Sequence, residues 1–160
     1  MLKIKFIVMG ALGEKHWKDA CEEYKKRLGG AYQVTEVQLK EATLPKNPTD
    51  GDIAAALESE AARILAEVSS RSCLVTMCVE GKALSSPQLA EFINSKAVSG
   101  TSEICFVIGS SHGLSDKVKK ASALRLSMSA LTFPHQLARV MLYEAVYRAG
   151  EINKGTHYHK

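Results

Sequence analysis

The chain ends in His157-Tyr158-His159-Lys160, and this run holds the groups best suited to moving protons near neutral pH. Two imidazoles, a phenol and a cation within four residues combine acid–base capacity with a charge that stabilises an anion. Four of the five histidines, His112, His135, His157 and His159, fall in the last third of the sequence. Termini fray by default, so the tail does chemistry only if it docks. Upstream, Arg139, Tyr143, Tyr147 and Arg148 lie at helical spacing, and Glu144 with Arg148 forms an i, i+4 acid–base pair of the kind common on helix surfaces. His157 and His159 have no nearby Cys or carboxylate to complete a coordination shell, so no metal site is expected.

Two further segments are suited to binding rather than proton transfer. Gly109-Ser110-Ser111-His112-Gly113 follows an apolar run and precedes a helix start, where backbone N–H groups can face a ligand. It is not G-x-G-x-x-G and has no Walker Lys-Ser/Thr, which argues against a Rossmann-type dinucleotide site. Two glycines in a tight turn explain it equally well. Ser127-Met128-Ser129-Ala130-Leu131-Thr132-Phe133 is small, uncharged and partly apolar. Such a segment cannot do acid–base chemistry, but its backbone can line a pocket for an uncharged heterocycle; a buried crossover is the plain alternative.

These segments must be carried by regular elements. Leu2 to Met9 reads as a strand entering a core, and Glu14 to Leu28 as a helix with Trp17, Cys21, Tyr24 and Leu28 on one face. Gln33 to Leu39 alternates as a half-exposed strand does. Thr49 to Asp52 resembles a capping box, followed by an amphipathic helix to Ser69. Cys73 to Val79 and Ile104 to Ile108 are continuous apolar runs, as in strands buried on both faces. Ser86-Pro87 opens a helix to about Val98, with Ser86 as N-cap. Ser115 caps a short helix to about Ala121, Leu124 to Met128 is a fifth strand, and Thr132-Phe133-Pro134 opens a last helix to about Ala149. Strand and helix alternate five times, which predicts an α/β fold with a parallel sheet covered on both faces. Ligands in such sheets sit outside the carboxyl ends of the strands, here after Val79, Ile108 and Met128.

The 160 residues suit one domain spanning 1–160. Hydrophobic residues make up 46% and charged residues 24%, which excludes a disordered chain. The longest uncharged stretch, Leu126 to Ala138, falls short of a membrane span and contains Pro134 and His135. The apolar N-terminal run is too short for a signal peptide, and the four cysteines fit no metal or redox spacing; both point to a cytoplasmic protein. The net charge of +4 is concentrated at the two ends of the sequence, which permits a polyanionic partner without requiring one.

Four stretches together resemble the small SPOUT-class ribosomal RNA large-subunit methyltransferase H family: Val107-Ile108-Gly109-x-Ser111-x-Gly113-Leu114, Leu126-Ser127-x-Ser129-x-Leu131-Thr132-Phe133-Pro134-His135, Tyr147-Arg148-Ala149 and Tyr158-His159-Lys160. The region of Trp17, Tyr24 and Arg27-Leu28 is also similar, so the resemblance covers essentially the whole chain. It implies a SPOUT fold with a C-terminal trefoil knot and a homodimer. It implies an S-adenosyl-L-methionine-dependent enzyme that methylates N3 of the pseudouridine at position 1915, in helix 69 of 23S rRNA, within the large subunit or whole ribosome. The family's cofactor positions fall on Met77, Gly109, Met128, Ser129, Ala130, Leu131, Thr132 and Phe133. Catalytic roles are expected of Tyr158, His159, Lys160 and Arg148, with His135 as an alternative base; Lys117, Lys119, Lys120 and Arg125 are expected to touch phosphate. One departure is Ser110, where the family has a second glycine; a positive φ there would strain a serine. A tRNA-modifying SPOUT enzyme would share the pocket but not the Tyr158-His159-Lys160 ending, and a flavodoxin-like binding module would leave the tail unexplained.

Overall fold

The computed structural model describes residues 1–160. Ten elements alternate along the chain: β1 Lys3–Met9, α1 Lys15–Leu28, β2 Gln33–Leu39, α2 Asp50–Ala66, β3 Ser72–Ala83, α3 Ser86–Val98, β4 Glu103–Ile108, α4 Asp116–Ala121, β5 Leu124–Ser127 and α5 His135–Asn153. The five strands form one sheet in the order β2-β1-β4-β3-β5, and every pairing is parallel. All carboxyl ends therefore emerge at one edge.

Local sequence explains most element starts. The side chain of Thr49 accepts from the Asp52 N–H and the Asp52 carboxylate accepts from the Thr49 N–H, which closes a capping box on α2. A second box joins Ser85 and Gln88 at α3. The N-cap of α3 is thus Ser85, not Ser86, because only Ser85 has a Gln three residues on to return the bond. Helix α5 runs to Asn153, one turn beyond the expected Ala149, and Gly150 within that turn packs closely against Tyr32 and Ala31.

Strand β3 differs most from expectation. It continues to Ala83, four residues beyond the expected Val79. Both Met77 and Lys82 pair with Leu126 of β5, so residues 78–81 form an excursion from the ladder. A Cβ on Gly81 would lie 2.6 Å from the Arg125 carbonyl oxygen, so only glycine lets the excursion rejoin β5.

The sheet is covered on both faces. Phe6, Phe106 and Ile4 pack under α1, α3 and α5 through Cys21, Leu28, Ile93, Leu142 and Tyr143. Ile7, Met9, Cys105 and Val107 pack under α2 and α4 through Ala61, Ile64 and Val118. Trp17 remains half-buried at the end of the α1 stripe. All four cysteines are buried and free, and burial pushes the Cys105 thiol up to about 12, which suits an inert core residue. No helix is long and apolar enough to cross a membrane.

Phe6 is wholly buried, with its ring centroid 4.1 Å from Tyr143 and 5.9 Å from Phe106. Phe6→Ala is expected to cost about 3–5 kcal/mol, measured as a lower urea midpoint at unchanged slope.

Candidate functional site

The break in β3 and the carboxyl ends of β4 and β5 surround a cavity of about 520 Å³. Strand β3 contributes Met77, Cys78 and Val79, and β4 contributes Ile108 with the following loop at Gly109, Ser110, Ser111 and Gly113. The segment after β5 contributes Met128, Ser129, Leu131, Thr132 and Phe133, and the start of α5 adds His135 and Ala138. No Asp, Glu, Lys or Arg lines it.

Close backbone approaches shape the walls. A Cβ on Gly109 would lie 2.4 Å from the Gly113 carbonyl oxygen, so the 109–113 loop folds on itself only with glycine there. Gly113 carries the positive φ, +85°, and its N–H donates to the Ser110 carbonyl at 2.8 Å. Ser110 itself is not in the left-handed region, so the condition for strain there is not met: the positive φ falls three residues later. The Ser127 hydroxyl lies 2.9 Å from the Val79 carbonyl and 3.0 Å from that of Ser129, joining the β3 excursion to the 128–134 segment. The Leu131 N–H donates to the Ser129 hydroxyl at 3.0 Å. Helix α5 starts after Pro134 with no side-chain cap, so its first N–H groups remain available beside the cavity.

Behind the 109–113 loop sits Glu60 of α2, only 4% exposed and with Oε2 unpartnered. Burial pushes its carboxyl above the usual range, against partial relief from the Ser110 side chain and the Ala42 N–H.

Of the eight expected cofactor positions, seven line this cavity; Ala130 does not and is exposed. Leu131 is 69% exposed and Val79 50% exposed, so the cavity has an apolar, uncovered lip. Cys78 and Ser110 also line it; continuity with the apolar β3 run and with Gly109 was the available signal for them. Glu60 had none, since it appears in sequence as one polar residue of an amphipathic helix.

The expected catalytic residues divide into two groups. His135 lines the cavity. Arg148 lies 13 residues further along α5, about 20 Å away at 1.5 Å per residue. There Arg148 pairs with Glu144 and covers the Tyr158 ring, its guanidinium carbon 4.7 Å from the centroid. The Tyr158 hydroxyl donates to Glu144 at 3.2 Å, and its ring meets Tyr147 edge-on at 4.8 Å. The tail is docked, but on its own helix and not at its own cavity. His159 and Lys160 are exposed beside it. Among the expected phosphate contacts, Lys119 is held by Glu80, while Lys117, Lys120 and Arg125 are exposed without an acidic partner. No group of three or more His, Cys, Asp or Glu is placed to hold a metal ion.

Two substitutions check this geometry. A carboxyl with a raised native pKa favours folding while protonated; that contribution is complete below the unfolded glutamate value and is lost as pH rises through the native one. Glu60→Gln is neutral throughout, so it is expected to unfold at higher denaturant than the parent protein at about pH 8, with the difference closing toward about pH 4. Gly109→Ala is expected to cost about 1–3 kcal/mol by overpacking, read by thermal unfolding, and to perturb the amide signals of residues 109–113.

The whole fold is similar to the solved structure of a probable methylase family protein from Haemophilus influenzae Rd KW20. The TM-score is 0.52 at 13% identity, over 98% of this chain and 70% of that one. A family model described as "Predicted SPOUT methyltransferase" matches residues 2–159. With its neutral cavity at the break in β3 and the carboxyl ends of β4 and β5, and a sequence match of nearly full length, the chain belongs to the SPOUT methyltransferase family.

Proposed function

We propose that the protein transfers a methyl group from S-adenosyl-L-methionine to N3 of pseudouridine 1915 in helix 69 of 23S rRNA, on the large subunit or assembled ribosome. The observation that carries the cofactor half of this reading is the cavity. Its uncharged wall suits an adenine, and its backbone-rich loops and uncapped helix start supply neutral donors for the polar groups. When bound there, the sulfonium supplies an electrophilic methyl group. Met77, Gly109 and the segment Met128 to Phe133 would hold the cofactor. Ala130 belongs to that segment as its outer turn. The knotted threading of the 109–134 region is part of the same reading.

The substrate half rests on the motifs of the α5 helix and tail. The pseudouridine N3 carries a proton that must leave before or during displacement. His159 is the acceptor or relay, Tyr158 positions the base, and Lys160 with Arg148 holds phosphate or the developing imidate charge. Because about 20 Å of helix separates Arg148 from His135 on one chain, the tail serves the cavity of a second subunit. A homodimer acting in the cytoplasm, where assembled ribosomes are found, is part of the same reading, and the separation along α5 supports it. His135, already in the cavity, is the alternative base. A shape presented by the folded ribosome replaces a dedicated RNA-binding domain.

Labelled methyl transfer to ribosomes with and without the pseudouridine tests the substrate, and transfer is expected only with it. Truncation after Gly155 is expected to abolish turnover while calorimetry still shows S-adenosyl-L-methionine binding. Near-normal turnover by a folded truncation, together with an inactive His135→Ala, would move the base to His135.

A further inference from the structure

Arg139 is the largest side chain that the fold buries completely, at 1% exposure. Only Nη2 is satisfied, donating to the Gly10 carbonyl at 2.8 Å. Nε and Nη1 have no partner. A guanidinium stays charged at any accessible pH, so a buried one without a counter-ion marks a place where something else supplies the acceptors.

Arg139 also lines a second cavity, of about 310 Å³, between α1 and the ends of β1 and β2. Lys18, Glu22 and Lys25 of α1 line it, with Leu12 after β1 and Glu36 of β2. Both acids are engaged. Glu36 accepts from the Tyr143 hydroxyl and pairs with Lys25 at 3.4 Å, and Lys25 also pairs with Glu22. Lys18 and Arg139 are left without an acidic partner. A buried guanidinium with two unpartnered nitrogens and an exposed ammonium border one cavity and form a receptor for an oxyanion; a guanidinium's N–H donors match phosphate oxygens well, and because Arg139 is covered a ligand reaches them by displacing the cavity wall.

The position gives this receptor a use. It opens at the same sheet edge as the first cavity, since β1 and β2 are parallel to β4 and β3. Arg139 is one turn from His135, about 6 Å along α5. The Gly13 N–H donates to Gln136 Oε1 at 3.0 Å, which fixes the loop after β1 to the start of α5. We propose that this second cavity is a phosphate subsite, which holds a backbone phosphate of the RNA substrate beside the nucleotide being methylated. The inference rests on the RNA reading above for the source of the phosphate, but not for the site itself.

Titration of the full-length protein with inorganic phosphate, against chloride at matched ionic strength, reads the site by ¹⁵N NMR without RNA. The Arg139 Nε–H and the amides of residues 10–13 are expected to shift with phosphate only. Arg139→Met, of similar reach, removes the response; should it not fold, Lys18→Gln is an exposed change expected to weaken the same response. In binding to ribosomal RNA, Lys18→Gln is expected to lower the slope of log K against log salt by about one, with S-adenosyl-L-methionine affinity unchanged. An Arg139 signal unmoved by phosphate overturns the site. Phosphate shifts combined with an unaltered RNA salt slope overturn the RNA assignment and leave a small oxyanion as the ligand. Absence of methyl transfer to any ribosomal RNA overturns the function proposed above, and the retained phosphate shifts distinguish that failure from failure of the site.

Discussion

Parallel pairing of β4, β3 and β5 is the constraint on which the rest of this molecule depends. It brings three chain segments out of the sheet side by side, and their backbones must then turn within one another's van der Waals reach. Two glycines make that possible: Gly81 against the Arg125 carbonyl and Gly109 against the Gly113 carbonyl. Any Cβ at either place would push one wall away from the next. The cavity is consequently built from backbone and small side chains, and its neutrality follows from that construction.

Charge is kept to the margins of this neutral centre. Lys119 and Glu80 pair beside it, Arg148 and Glu144 pair at the far end of α5, and Lys25 joins Glu22 and Glu36 beneath α1. Such pairs add little stability where they are exposed. Their consequence is to hold side chains in place around the cations that remain uncommitted. Helix α5 connects these regions: its first turn borders the neutral cavity, Arg139 lies against the end of β1, and its last turns carry the docked Tyr158.

Much of the fold was legible in the sequence. Apolar runs at 73–79 and 104–108, capping residues at Thr49 and Ser115, and the alternation of helix and strand define a parallel α/β sheet. Errors fell where local signals compete with tertiary ones. The expected strand end at Val79 misses the return of Lys82 and Ala83 to β5, which the close approach of Gly81 to the Arg125 carbonyl permits. Helix α5 outlasts Ala149 where Tyr32 packs against Gly150. The positive φ in the loop after β4 falls at Gly113 and not at Ser110, since φ depends on how the loop closes and not on which residue departs from a pattern.

Residue types and order by themselves determined the five strands, their parallel direction and the three segments where a ligand would sit, because hydrophobic periodicity and chain direction are local properties. They also marked seven residues that do line the cavity. Only the tertiary structure decided which charges are buried and which are paired. Arg139 appears in sequence as one more helical cation, and Glu60 as one more surface acid. Their desolvation exists only once β1, α1 and α2 have closed over them, because burial is a property of the assembled layers and cannot be read from any single element.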